Sequence, residues 1–209
     1  MRPSTLTETL VDGPAGAIDV ALNDPGPTRC GIALIAHPHP LQGGARENKV
    51  VTSLARAFFG LGYCTARPNF RGVGASEGIY DQGIGEADDL VVLVEHLRKR
   101  LGDLPVLLAG FSFGAYVQTR VVRQLAAERL ALIAPAVNRF DAESVPEDTL
   151  VVHGDQDDVV PLAAVLEWAR PQDLPVVVVP GGEHFFHGRL GQLQKIVTHW
   201  CLGHRGRES

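Results

Sequence analysis

Cysteine is scarce in this 209-residue chain, where Cys30, Cys64 and Cys201 are the full set. An odd number of widely spaced thiols, in a chain too long to need stapling, excludes a disulfide framework. All three are expected to be buried core filler. Long hydrophobic stretches are also missing. Runs such as Val91–Val94 and Val176–Val179 fall far short of the roughly 18 residues that span a bilayer, so no membrane span is expected. Positive charge is in deficit: 19 Lys and Arg stand against 24 Asp and Glu, a net charge of −5 that disfavours nucleic acid and anionic membranes as partners. The first twenty residues carry acids and Pro3 without a basic start followed by an apolar run, so no secretory leader is read and a cytoplasmic location is expected. Linkers, repeats and low-complexity segments are lacking too, which leaves residues 1–209 as one domain.

What is present is a core. Hydrophobic residues make up 45% of the chain and charged residues 21%, close to the average for globular proteins. Short apolar runs alternate with helical periodicity. Strands are expected at Gly31–His37, Tyr63–Arg67, Leu104–Ala109, Leu130–Ala134, Leu150–His153 and Pro175–Val179. Helices are expected at Asn48–Phe59, Glu86–Leu101, Gly114–Arg129, from about Leu162, and near Leu190–Leu202. The helix from Glu86 is the clearest, with acids in its first turn and Arg98, Lys99 and Arg100 in its last. Such alternation implies βαβ units and a mostly parallel sheet covered on both faces, with Thr5–Asn23 supplying antiparallel edge strands.

The pattern G-x-S-x-G occurs twice, around Ser76 and around Ser112. A nucleophilic serine of this kind sits on a sharp strand-to-helix turn, where small neighbours let the two elements approach. Ser112 follows the run Val106–Ala109 and opens a helix at Gly114, whereas Ser76 lies in a glycine-rich loop with no firm helix after it. Ser112 is therefore the candidate nucleophile. A serine hydroxyl needs a histidine base, and the histidine needs a carboxylate to hold its tautomer. On such elbows the chain order is Ser, acid, His, which removes His37, His39 and His96. His184 follows the strand ending at Val179 and is the candidate base. His187 on the same loop is second choice, and His199 and His204 belong to the final helix or beyond it. The acid lies among Asp155, Asp157 and Asp158, between which composition does not choose.

These residues resemble an α/β-hydrolase over essentially the whole chain, and in particular the small dienelactone-hydrolase-like serine hydrolases that lack a cap. The matching pieces are His37–Pro40 with Gly43 and Gly44, Phe70–Ser76, Gly110–Gly114, His153–Pro161 and Gly182–Phe186. The resemblance implies Asp157 as the acid. It also implies an oxyanion hole made by the backbone amides of Phe113 and of a residue just after His37-Pro38. Pro38 and Pro40 have no amide hydrogen, so His39 is the choice, with Leu41 the alternative. Dienelactone hydrolases proper use cysteine as nucleophile, so serine acyl chemistry is carried over and lactone opening is not.

His37 and His39 have metal-ligand spacing, but no third histidine joins them, so neither a metal nor another cofactor is expected. Arg46, Arg71 and Gln42 lie in loops near the site, where they would either hold an anionic substrate or stand in solvent. The expected function is hydrolysis of small carboxylic esters by a Ser112–Asp157–His184 triad. Thioesterase, amidase or acyltransferase chemistry with the same triad, or a silent fold that binds a ligand, are the alternatives. Only Pro135–Asp148 separates the sixth strand from the next, too little for a cap domain, so an open site for short acyl groups follows.

Overall fold

Continuous apolar runs become strands whose alternate side chains feed two separate cores. The computed structural model describes residues 5–205. The chain runs β1 (Thr5–Gly13), β2 (Gly16–Asp24), β3 (Gly31–Ala36), α1 (Lys49–Gly60), β4 (Tyr63–Pro68), α2 (Ile84–Leu101), β5 (Val106–Phe111) and α3 (Phe113–Gln124). It continues through β6 (Arg129–Ile133), β7 (Leu150–Gly154), α4 (Leu162–Ala169), β8 (Val176–Val179) and α5 (Leu190–Arg205). One eight-stranded sheet takes the order β1-β2-β4-β3-β5-β6-β7-β8. The β1–β2 and β2–β4 pairs are antiparallel and every other pair is parallel.

In β3, Ile32 and Leu34 face a core closed by Leu90, Leu93 and Leu97 of α2 and Val117 and Val121 of α3. Ala33 and Ile35 face the opposite core, closed by Leu54 and Phe58 of α1 and Leu193 and Val197 of α5. That period-two sorting is what a strand buried on both sides requires. After β3 the chain moves outward to β4, which pairs with the earlier β2, and after β5 it builds the other way through β6, β7 and β8. The direction reverses between β3 and β5, and a crevice opens at the carboxyl ends of strands at such a point.

Three details depart from the sequence reading. Helix α2 starts at Ile84, because Glu86 reaches back and accepts the Asp81 and Gly83 amides, each at 2.8 Å. Helix α3 stops at Gln124 instead of running to Arg129. Leu125 turns extended and the Glu128 amide donates to the Val106 carbonyl at 2.8 Å, so sheet pairing overrides the helix propensity of Ala126 and Ala127. Cys64 and Cys201 are buried as expected, but Cys30 is exposed, since it lies on the turn ahead of β3 beside the Leu61 carbonyl.

Helix α3 begins so close to the sheet that a Cβ on Gly114 would collide with the Ala36 and His37 carbonyl oxygens. Gly114→Ala gains about 1 kcal/mol of helix propensity in principle, but the contact is with strand backbone that has nowhere to move. A net loss of about 1–3 kcal/mol is expected, seen as a lower Tm in thermal unfolding. A raised Tm would show that the elbow has room.

Candidate active site

Ser112 stands between β5 and α3 with φ 55° and ψ −116°, a conformation rare for a residue carrying a side chain. Two things hold it there. Its amide donates to the Ile133 carbonyl at 2.9 Å, and the Ala115 and Tyr116 amides donate to its own carbonyl. The turn thrusts Oγ away from the backbone toward the loops that follow β7 and β8.

Asp157 lies three residues beyond β7, and His184 five beyond β8. A Cβ on Gly154 would run into the Gly182 carbonyl, so these two loops can touch only because position 154 is glycine. Through that contact His184 Nδ1 reaches Asp157 Oδ2 at 2.7 Å, and His184 Nε2 reaches Ser112 Oγ at 3.0 Å. The other oxygen of Asp157 accepts the Val159 and Val160 amides at 2.9 and 2.8 Å. Burial alone would raise the Asp157 pKa. The His184 hydrogen bond, the Val160 amide and the His184 and His153 charges outweigh it and hold the carboxyl below its ordinary value. An ionised carboxylate only accepts hydrogen bonds, so His184 carries its proton on Nδ1 and offers the Nε2 lone pair to Ser112.

The competing candidates are placed elsewhere. The Asp155 carboxylate accepts the Gly181 amide at 2.6 Å, and Asp158 is exposed. His187 is exposed beside Glu183 at 3.2 Å, and His96 and His199 are exposed on helices. The side chain of His204 lies outside the described residues. Ser76 Oγ accepts the Asp19 amide and donates to the Asn69 carbonyl, so the second G-x-S-x-G pins the glycine loop to β2.

His153 is a neighbour of the site that the Ser112–Asp157–His184 reading does not use. Its Nε2–H donates to the Val160 carbonyl at 2.8 Å and lies 3.5 Å from Asp157 Oδ2. Burial pushes its pKa down despite that carboxylate. The sequence held a signal for it, because His153 shares an apolar strand end with the acid loop.

A cavity of about 270 Å³ opens beside Ser112 and His184. Phe113, Phe140, Val160 and Phe185 form its apolar walls, and Gln42, Asn48 and Arg139 stand at its edges. Phe140 and Arg139 come from residues 134–149, which form no helix or strand. Phe140 is anchored by stacking on Tyr116 at 4.7 Å and by packing on Phe113. Sequence reasoning took that connection as bare; its aromatic anchor was not visible without the partners. The Phe113 and His39 amides have no acceptor among the described residues, whereas the Leu41 amide donates to His39 Nδ1 at 3.2 Å. Burial and the Arg139 charge lower the His39 pKa, with Glu86 opposing.

Arg46 and Arg71 neither face a substrate nor stand in solvent. Arg46 is paired with Asp19, Glu8 and Glu47, and Arg71 with Asp89. Both were read as loop cations that would hold an anionic substrate or stand in solvent, because loop position is visible in a sequence and an ion-pair partner many residues away is not. His37 is fully engaged as well: Nδ1–H donates to the Pro38 carbonyl at 2.6 Å and Nε2 accepts the Phe70 amide at 2.9 Å. No ring lone pair of His37 is left for a metal.

A family model described as serine aminopeptidase S33 matches residues 39–145, about half of the chain. Protein XC6422 from Xanthomonas campestris, an α/β serine hydrolase without a lid, is 39% identical. Its structure covers 96% of this chain and 95% of its own, with a TM-score of 0.88. An α/β serine hydrolase homologue from Coxiella burnetii is 38% identical, with coverage of 95% and 99% and a TM-score of 0.87. Protein RP471 of Rickettsia prowazekii is 29% identical over 206 residues, 91% of this chain and 87% of its own length.

Burial lowers the His37 pKa from 6.5 to about 4, against the opposing pull of the Pro38 carbonyl and Glu47. A protonated His37 cannot accept the Phe70 amide, so the folded state resists a proton that the unfolded chain takes up. Stability is therefore lost as pH falls from about 6.5 to about 4, by roughly 3 kcal/mol from this residue, with His153 acting in the same direction. Urea unfolding across that window should show a shallower pH slope for His37→Gln than for the wild type. Equal slopes would contradict the neutral, doubly bonded ring.

Proposed function

Because the chain belongs to the S33 family of α/β serine hydrolases, we propose that it cleaves carboxylic esters of small acyl groups through an acyl-enzyme, with Ser112 as nucleophile, His184 as base and Asp157 as its orienting acid. The observation that carries this reading is the continuous hydrogen-bonded chain from Asp157 through His184 to Ser112, ending on the open cavity. Ser112 Oγ attacks the ester carbonyl carbon as its proton passes to His184 Nε2. The carbonyl oxygen becomes an oxyanion that takes hydrogen bonds from the Phe113 and His39 amides, donors of a kind worth about 3–4 kcal/mol each. The intermediate collapses by expelling the alcohol, which receives the proton from His184 Nε2. Water then attacks the acyl-enzyme, gives a proton to His184, and releases the carboxylic acid and free Ser112. Asp157 stays ionised throughout and stabilises the imidazolium.

The family description names an aminopeptidase, and recognition of a free α-ammonium calls for a carboxylate in the site. Among the described residues lining the cavity there is none, and the fixed charge at its edge is Arg139, of the opposite sign. That charge supports an ester with a neutral or anionic acyl part over a peptide amino terminus.

A fluorophosphonate should add once, to Ser112, and intact-mass analysis should show no adduct in Ser112→Ala. An adduct on Ser76 would displace the assignment. Asp157→Asn places an amide among two backbone donors and the imidazole, so it cannot satisfy both sides. The fold should persist while kcat falls by about 10³–10⁴. If Asp155→Asn is the damaging change instead, Asp157 is not the acid.

With no cap to cover a long chain, each further methylene gains far less than the roughly 0.8 kcal/mol of full burial. For p-nitrophenyl esters from acetyl to palmitoyl, kcat/KM should peak at short chains. A peak at long chains, or a jump in rate above the solubility limit, would contradict the open site.

A further inference from the structure

Strand β4 turns two buried polar atoms toward α1 without giving either a partner. Thr65 Oγ1 and Arg67 Nε lie on the same face of the strand, two residues apart, and neither makes a hydrogen bond. Arg67 is only 9% exposed, and among the described residues no carboxylate pairs with it. Glu8 and Glu47, the acids whose charges act on Arg67, both bind Arg46. One nitrogen of the Arg67 guanidinium, Nη1, donates to the Arg46 carbonyl at 3.2 Å. The edge formed by Nε and Nη2 is left without an acceptor. A buried cation in that condition is costly unless something compensates it.

Arg67 lines a cavity of about 310 Å³ that shares no lining residue with the one beside Ser112. Arg56, on α1, adds a second cation to its wall, and no ion pair of Arg56 occurs among the described residues. Asn23, which sits opposite Thr65 across the β2–β4 pair, and Thr52 add polar groups. Leu6 and Phe59 supply apolar surface, and the described lining contains no acid. A guanidinium is an always-charged donor whose N–H groups suit the oxygens of a carboxylate or phosphate.

We propose that this cavity binds a small oxyanion-bearing ligand, a carboxylate or a phosphate, whose oxygens accept from the accessible part of the Arg67 guanidinium and face the charge of Arg56. Burial and the neighbouring Arg46 and Arg56 charges lower the Arg67 pKa, with Glu47 and Glu8 opposing, so a bound anion would restore the guanidinium's preference for its charged form. The site is independent of the triad.

The test is a ¹H–¹⁵N NMR titration of the full chain with sodium butyrate, and separately with sodium phosphate, each against sodium chloride at matched ionic strength. Saturable shifts are expected at the amides of Thr52, Arg56, Thr65 and Arg67. Arg67→Met should weaken binding about 10- to 100-fold, the range that charge-assisted hydrogen bonds typically carry. Arg67→Lys keeps the charge without the fork and should fall between. Arg56→Ala, on an exposed position, should weaken binding several-fold even if Arg67→Met fails to fold. Tighter butyrate binding assigns a carboxylate ligand with an apolar body, and tighter phosphate binding assigns a phosphate. Shifts no larger than those with chloride, shifts confined to the Ser112 cavity, or affinities indifferent to all three substitutions would overturn the proposal.

Discussion

The closeness of α3 to the backbones of β3 and β5 is the constraint on which the rest of the site depends. Gly110 and Gly114 have no Cβ, and a methyl group at either would strike backbone atoms of the facing segment. Because the helix starts there, Ser112 must make its turn within one residue and accept φ 55°. The strain is held by four backbone hydrogen bonds at the same residue. The turn falls beside β3, where strand order reverses, so the residues after β3 and β5 meet at one crevice. His39 and Phe113 thus approach from different strands, with ring centroids 4.9 Å apart.

Around this turn the electrostatics rest on one carboxylate held below its ordinary pKa, with two imidazoles, His37 and His153, whose pKa values burial lowers. Both Asp157 oxygens are used, one by two backbone amides and one by His184, so the carboxylate cannot rotate away without losing both. His153 packs against the same carboxylate but spends its Nε2–H on the Val160 carbonyl. Burial disfavours protonation of His153 and His37, and it is the Nε2 of His184 that lies 3.0 Å from Ser112 Oγ. A second imidazolium beside Asp157 would compete for the charge that should stabilise His184 during turnover.

Much of the fold was legible because its signals are local. The continuous apolar runs of β3 and β5, acids and bases at the ends of α2, and glycines beside Ser112 all lie within a few residues of what they determine. That Ser112, His184 and the acidic loop meet was legible by loop order, since loops after parallel strands emerge at one sheet edge, while the choice of Asp157 within that loop came from the family resemblance. What stayed hidden depends on distant partners. Arg46 and Arg71 read as free loop cations until Asp19 and Asp89 are placed against them. Ser76 read as an idle loop serine, yet its hydroxyl ties Asp19 to Asn69. The end of α3 at Gln124 was hidden for the same reason, because pairing of Glu128 with Val106 stops a run that local propensity would extend.

Those distant ion pairs have a consequence for a site without a cap. In a capped hydrolase the rim loops are held from above, but here they must be held from below. Asp19 of β2 does this from outside the crevice. It is paired with Arg46 and accepts the Asn69 side chain at 3.0 Å and the Ala75 amide at 3.3 Å. One buried carboxylate therefore joins the loop that carries Gln42, Gly44 and Asn48 to the glycine loop that carries Ser76. Arg71 then fastens that glycine loop to α2 through Asp89. Groups of this kind are buried and mutually satisfied, so removing one partner strands the other and is strongly destabilising. The crevice can stay open to water and still keep its shape, because its rim is fixed by charge pairing beneath the loops rather than by cover above them.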